Sequence, residues 1–210
     1  MTETITQRTP ADVWREMRRG NRRFVDGTPH HPRQDVERRE ELALSQAPHA
    51  ALFGCSDSRL AAEIIFDKGL GDLFVVRNAG QVISDSVIAS LEYAVAVLHV
   101  PLIVVLAHDA CGAVRAAIDL DSPTAAPLPP HIAGHIAAIR PAVRAAPSRD
   151  PEDVGRTHLE YTVGALVARS ELIADAIAAG TLAVVGANYK LLEGTAIASV
   201  VVGDVGADDN

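Results

Sequence analysis

From about residue 49 onward the chain alternates short apolar runs with stretches of helical period. The runs are Ala50–Gly54, Leu73–Val76, Leu102–Ala107 and Leu182–Val185, with Ala196–Val202 as a fifth candidate. Helical patterns fall between them near residues 60–67, 85–99, 131–146 and 151–179. Short apolar runs alternating with helices are the grammar of a parallel sheet covered on both faces. The pattern predicts an α/β fold with a mostly parallel central sheet of four strands plus an edge strand, helices on both faces and an N-terminal helical arm. Asp121–Pro130 (DSPTAAPLPP) reads as a surface loop, and the tail Gly206–Asn210 as frayed.

The arm divides the chain into residues 1–48 and a single globular unit, 49–210. Residues 10–26 read as a helix with Pro10 in its first turn. Val13, Trp14, Met17, Asn21, Phe24 and Val25 recur at spacings of three, four and seven, a stripe that needs cover. Asp12, Glu16 and Asp26 dilute its arginines, so the cover expected is the body of the protein or a second subunit rather than a membrane surface. A second, polar helix is expected over about 33–45.

Composition narrows the function classes. The 210 residues carry a formal net charge of -8 and a pI near 5.4, which argues against a nucleic-acid partner. No apolar run reaches the roughly 20 residues of a membrane span, and MTETITQRTPADVW lacks the layout of a secretory signal, so no membrane partner and a cytoplasmic location are expected. The chain has two cysteines, Cys55 and Cys111, too few for a disulfide scaffold.

Both cysteines lie where open parallel sheets place their chemistry, just beyond the carboxyl ends of strands. The first run is followed by Cys55-Ser56-Asp57-Ser58-Arg59 and the third by His108-Asp109-Ala110-Cys111-Gly112. If those strands are neighbours, two thiolates and an imidazole converge, a set that suits zinc with three protein ligands and an open fourth position. No third cysteine exists to close the site, and the fourth position would fall to water or to Asp57. Two other readings stand beside this one: the cysteines as small buried hydrophobes, or Cys55 as a nucleophile with His108 as its base. Asp57 and Arg59, two apart, either form a surface ion pair or hold a carboxylate that orients a metal-activated water.

Cys55-x-Asp57-x-Arg59 together with His108-x-x-Cys111 resembles the paired motifs of the beta-class carbonic anhydrases, and the similarity runs from residue 10 to about 190. The resemblance implies one zinc per chain on Cys55, His108 and Cys111, with Asp57 as a possible fourth ligand in a closed state. It implies catalysis by Asp57 and Arg59, and reversible hydration of carbon dioxide to bicarbonate and a proton. Gln46 resembles the substrate-contacting glutamine of the plant-like subgroup. Phe74 and Tyr93 look like apolar walls of the same pocket, with Ala79, Gly80 and Gly112 beside it. A homodimer or dimer of dimers is implied, with the arm across the partner. Trp14, the only tryptophan, lies in the arm, so the tryptophan-containing regulatory bicarbonate site of the other subgroup is not expected. Two positions depart from the pattern: Ala107 stands where a glycine is usual, which puts a positive backbone torsion there in doubt, and Asp109 adds a carboxylate expected to face solvent. Hydrolysis of carbon disulfide or carbonyl sulfide on the same scaffold, and a non-catalytic zinc-binding interaction protein, are the alternatives.

Overall fold

The computed structural model describes residues 8–122 and 124–206. Its sheet is built around two strands in which every residue is buried, β1 (Ala50–Cys55) and β3 (Leu102–His108). β2 (Leu73–Asn78) flanks β1, while β4 (Ala183–Tyr189) and the edge strand β5 (Ala196–Val202) extend the sheet beyond β3. The order is β2-β1-β3-β4-β5, parallel except for antiparallel β5. Burial on both faces explains why β1 and β3 read as continuous apolar runs rather than alternating ones.

Alternate residues nonetheless serve different cores. Leu52, Val104, Leu106 and Val185 pack with α1 (Pro10–Val25), α3 (Ala62–Ile65) and α5 (Gly112–Leu120). Phe53, Ile103, Val105 and Val184 pack with α4 (Asp85–Ala96), α8 (Pro151–Arg169) and α9 (Glu171–Ala178). The chain leaves β1 for β2 on one side and returns to β3 on the other. The carboxyl ends of β1 and β3 therefore flank a topological switch point, where doubly wound sheets leave a crevice.

Several helices are shorter than their periodicity suggests. The polar stretch 33–45 supplies only α2 (Val36–Glu41), capped by the Asp35 side chain, and 60–67 supplies only the four residues of α3. The 131–146 pattern divides into α6 (Pro130–Ala137) and α7 (Arg140–Ala145), the latter opened by Pro141. The 151–179 pattern divides at Ser170, whose extended backbone caps α9 while its hydroxyl donates to Glu92 Oε1 at 2.6 Å. Of the tail expected to fray, residues 207–210 lie outside the described residues, as does Pro123 of the expected surface loop.

Most of the N-terminal stripe finds its cover within its own chain, although Val25 at its end stays exposed. Val13, Trp14 and Met17 are at most 2% exposed, packed in the core beneath β1 and β3. Asn21 donates to the carbonyls of Ile65 and Gly194 and accepts from the Ala196 amide. The stripe therefore gives no argument of its own for a partner subunit. Asp67 and Asp72, both buried, hold the end of α1 through the Arg23 guanidinium and the following segment through the amides of His30 and His31 and the guanidinium of Arg33.

Seating α1 this closely requires Gly20, where an added Cβ would lie 1.9 Å from the Phe66 carbonyl oxygen. Helix propensity favours alanine there by about 1 kcal/mol, while overpacking costs about 1–3 kcal/mol. With the obstacle a backbone atom, the clash wins, and Gly20→Ala should lower the denaturant midpoint. An unchanged or raised midpoint would mean that α1 is seated elsewhere in solution.

Candidate metal centre

At the switch point β1 ends in Cys55, β3 ends in His108, and Cys111 caps the start of α5. All three are buried, and their ligand atoms lie within 4.8 Å of one another. The turn between His108 and Cys111 is made by Ala110, at φ +50°. Ala107 lies inside β3 without a positive torsion, so the glycine expected by resemblance is not needed there. Asp109 does not face solvent as expected: its carboxylate accepts the Leu191 amide at 3.0 Å.

The donor atoms are prepared for a cation. His108 Nδ1 is 2.7 Å from the Asp109 carbonyl oxygen, which cannot donate, so Nδ1 carries the hydrogen and Nε2 keeps its lone pair. Nε2 is buried and has no hydrogen-bond partner among the described residues. The Cys55 thiol is pulled well below its usual range by hydrogen bonding with Cys111, helped by the amide of Gly80, 3.2 Å from its sulfur. Cys111 is pushed far up by Cys55 and by burial, although the amides of Val114 and Ala113 at the helix start act in the opposite direction. The pair thus holds one proton until a divalent cation is bound, whereupon both thiols ionise. Two thiolates and an imidazole, with no fourth donor of that kind beside them among the described residues, fit zinc and match the ligand count of catalytic sites.

Asp57 borders this cluster, its Oδ2 3.9 Å from His108 Nε2. Arg59 holds it by three N–H groups: the backbone amide and Nε on Oδ1, each at 2.9 Å, and Nη2 on Oδ2 at 2.7 Å. These bonds, led by the guanidinium, keep the carboxyl far below the usual carboxylate range. Arg77 of β2 fixes the backbone of the same turn, donating Nε to the Cys55 carbonyl at 3.0 Å and Nη2 to the Asp57 carbonyl at 2.7 Å.

The structure brings Cys55, Asp57, Arg59, Ala79, Gly80, His108, Cys111 and Gly112 to one end of the sheet. It does not bring Gln46, Phe74 or Tyr93 there within one chain. Gln46 is exposed and precedes β1, whose six residues, at about 3.3 Å each, separate it from Cys55. Phe74 pairs with Ala51 at the far end of β1. Its ring centroid is 6.1 Å from that of Tyr93, which is 46% exposed. Sequence reasoning missed Arg77, whose signal was a charged residue ending an otherwise apolar run. It also set aside His135 and His158, which bond the Ala79 and Gly80 carbonyls.

The sequence model of the family described as carbonic anhydrase matches residues 50–196, a span that contains every residue of this cluster. Carbonic anhydrase 2 of Mycobacterium tuberculosis is 47% identical over 208 residues, covering 95% of this chain and 97% of that protein. The Coccomyxa beta-carbonic anhydrase, solved with acetazolamide, superposes with a TM-score of 0.69 at 26% identity, covering 88% of this chain and 86% of that one. The chain belongs to the beta-carbonic anhydrase family. A beta-carbonic anhydrase of Sordaria macrospora, described as tetrameric, superposes with a TM-score of 0.67 at 27% identity, covering 78% and 86% of the two chains. Family membership makes zinc the resident metal, in agreement with the donor chemistry of Cys55, His108 and Cys111.

Because Cys55 is already ionised in the metal-free carbonic anhydrase and Cys111 is not, zinc binding near neutral pH should release about one proton per chain. Titration calorimetry in buffers of differing ionisation enthalpy measures that number. Measured on the acid side of neutrality, where a metal-bound water keeps its proton, release of two would mean that the metal-free thiols are both protonated.

Proposed function

We propose that this chain catalyses the reversible hydration of carbon dioxide to bicarbonate and a proton, with Asp57 orienting the attacking water. Zinc, held by Cys55, His108 and Cys111, supplies the Lewis acidity that makes a water a nucleophile near neutral pH. The observation that carries the role of Asp57 is its lone-pair count. A carboxylate offers about four acceptor sites. Arg59 fills two on Oδ1 and one on Oδ2. The acceptor that remains is on Oδ2, the oxygen nearest His108 Nε2. Asp57 can therefore accept one O–H and, held ionised, cannot donate. A water engaged this way has its hydrogen directed at the carboxylate and its lone pair left for the carbon of carbon dioxide. Arg59 maintains both the charge and the aim, and Arg77 keeps the turn from relaxing. A non-catalytic zinc protein has no use for such an acceptor.

Gln46, Phe74 and Tyr93 can serve a substrate only at the centre of a second copy, since strand geometry separates them from Cys55 of their own chain. A homodimer or dimer of dimers is part of this reading, with the 1–48 arm lying against the partner by the face it does not bury in its own chain, and the plant-like subgroup goes with Gln46. A cytoplasmic location is likewise part of it, because reducing conditions keep two adjacent thiols available to a metal.

Stopped-flow hydration assays on Asp57→Asn, with zinc measured on the same sample, test the mechanism. Metal content should stay near one per chain, while kcat/KM falls by about 10–100-fold or more. Full activity in the variant would remove Asp57 from the reaction, and zinc without carbon dioxide turnover in the parent protein would favour the carbon disulfide or carbonyl sulfide reading. Sedimentation velocity at micromolar concentration should show a dimer or tetramer. A fully active monomer would release Gln46, Phe74 and Tyr93 from any substrate role.

A further inference from the structure

We propose that His135 is a positioning residue for the metal-binding sulfur of Cys55, acting through the peptide that joins Ala79 to Gly80. The inference rests on the zinc reading above. The N–H of this peptide, on Gly80, donates to Cys55 Sγ at 3.2 Å. Its carbonyl, on Ala79, is 2.7 Å from His135 Nε2, and since a carbonyl cannot donate, the ring must. Ring N–H, peptide and sulfur thus form one continuous hydrogen-bonded chain, in which each bond polarises the next.

The geometry of the peptide is tightly determined. Gly80 sits at φ +77°, and an added Cβ would lie 2.6 Å from the Ala113 Cβ and 3.1 Å from the Ile139 Cδ1. The following carbonyl, of Gly80, receives the ring N–H of His158 at 2.7 Å. His158 is buried in α8 and grips the neighbouring peptide, so it orients the loop. Of the two histidines, it is His135 that bonds the peptide unit whose N–H reaches the sulfur.

A stronger N–H donor withdraws charge from the sulfur. Two thiolates offer a bound metal more negative charge than neutral ligands would, and every donor to those sulfurs moderates that excess. His135 then tunes how much charge Cys55 gives to the metal without touching either.

The test uses the cobalt(II)-substituted protein, whose thiolate-to-cobalt absorption reports the energy of the sulfur lone pairs. His135→Leu removes the donor, while His135→Gln retains an N–H at about the same reach. In His135→Leu the band should move to longer wavelength, and with the Gly80 N–H no longer held on Cys55 Sγ the zinc affinity should fall about tenfold, the lower end of effects seen around metal ligands. His135→Gln should match the parent in both. An unmoved band in the leucine variant, or equal shifts in the two variants, would overturn the proposal.

Should the leucine variant fail to fold, the parent protein decides by nuclear magnetic resonance. The Gly80 amide proton should resonate far downfield, with the His135 ring protonated on Nε2. An ordinary Gly80 shift or an Nδ1–H ring overturns the proposal as well. Absence of any thiolate-to-cobalt band in the parent would instead be the failure of the metal reading.

Discussion

Two cysteine sulfurs that share one proton, gathered with an imidazole within 4.8 Å and away from water, resist a second negative charge, and the surrounding structure is arranged to hold them together in spite of this. The parallel pairing of β1 with β3, in which Gly54 sits opposite Leu106, brings Cys55 and His108 to the ends of adjacent strands. A slip of one residue would displace them along the strands by about 3.3 Å and invert the buried faces of the whole strand. Register is therefore enforced by two apolar cores at once, and the positions of the ligands follow from it. Cys111 joins them because β3 gives way directly to α5, whose first amides favour its ionised form.

Positive groups and amide hydrogens surround this cluster on the protein side. Arg77 clamps the Cys55–Asp57 backbone, Arg59 saturates most of Asp57, and Gly80 contributes its amide. None of these cations contacts a sulfur directly. The division keeps the thiolates for a metal and assigns the arginines to geometry, with Asp57 ionised and aimed. An arginine is suited to that task because its planar fork fits both carboxylate oxygens, where a lysine would fix only one point.

Much of this was legible in the sequence, for identifiable reasons. Strands buried on both faces announce themselves as apolar runs, and polar residues stranded at their ends, Cys55 and His108 among them, stand out against such a background. What stayed hidden depends on distant backbone. The break at Ser170 interrupts a helical period that the apolar residues carry straight through, and it is made by a bond to Glu92, 78 residues away. His135 and His158 read as ordinary helix residues because their partners are carbonyl oxygens, which a sequence does not display. The stripe on α1 revealed that Val13, Trp14 and Met17 needed cover, and could not say that their own chain supplies it.

A parallel sheet also has two chemically different ends, and this sorts the remaining polar residues. The carboxyl end holds the metal ligands and Asp57. The amino end holds Asp72, just before β2, and Gln46, just before β1, and nearby Lys68, although buried, pairs with Glu16 of α1 at 2.5 Å. That second cluster is engaged in tying the N-terminal arm to the body, and its members are already paired. Gln46 differs in being exposed. A side chain displayed at the wrong end of its own sheet gains a role in this chemistry only when another sheet's carboxyl end is brought to it, so the catalytic reading of Gln46 and the oligomeric reading of the protein stand or fall together.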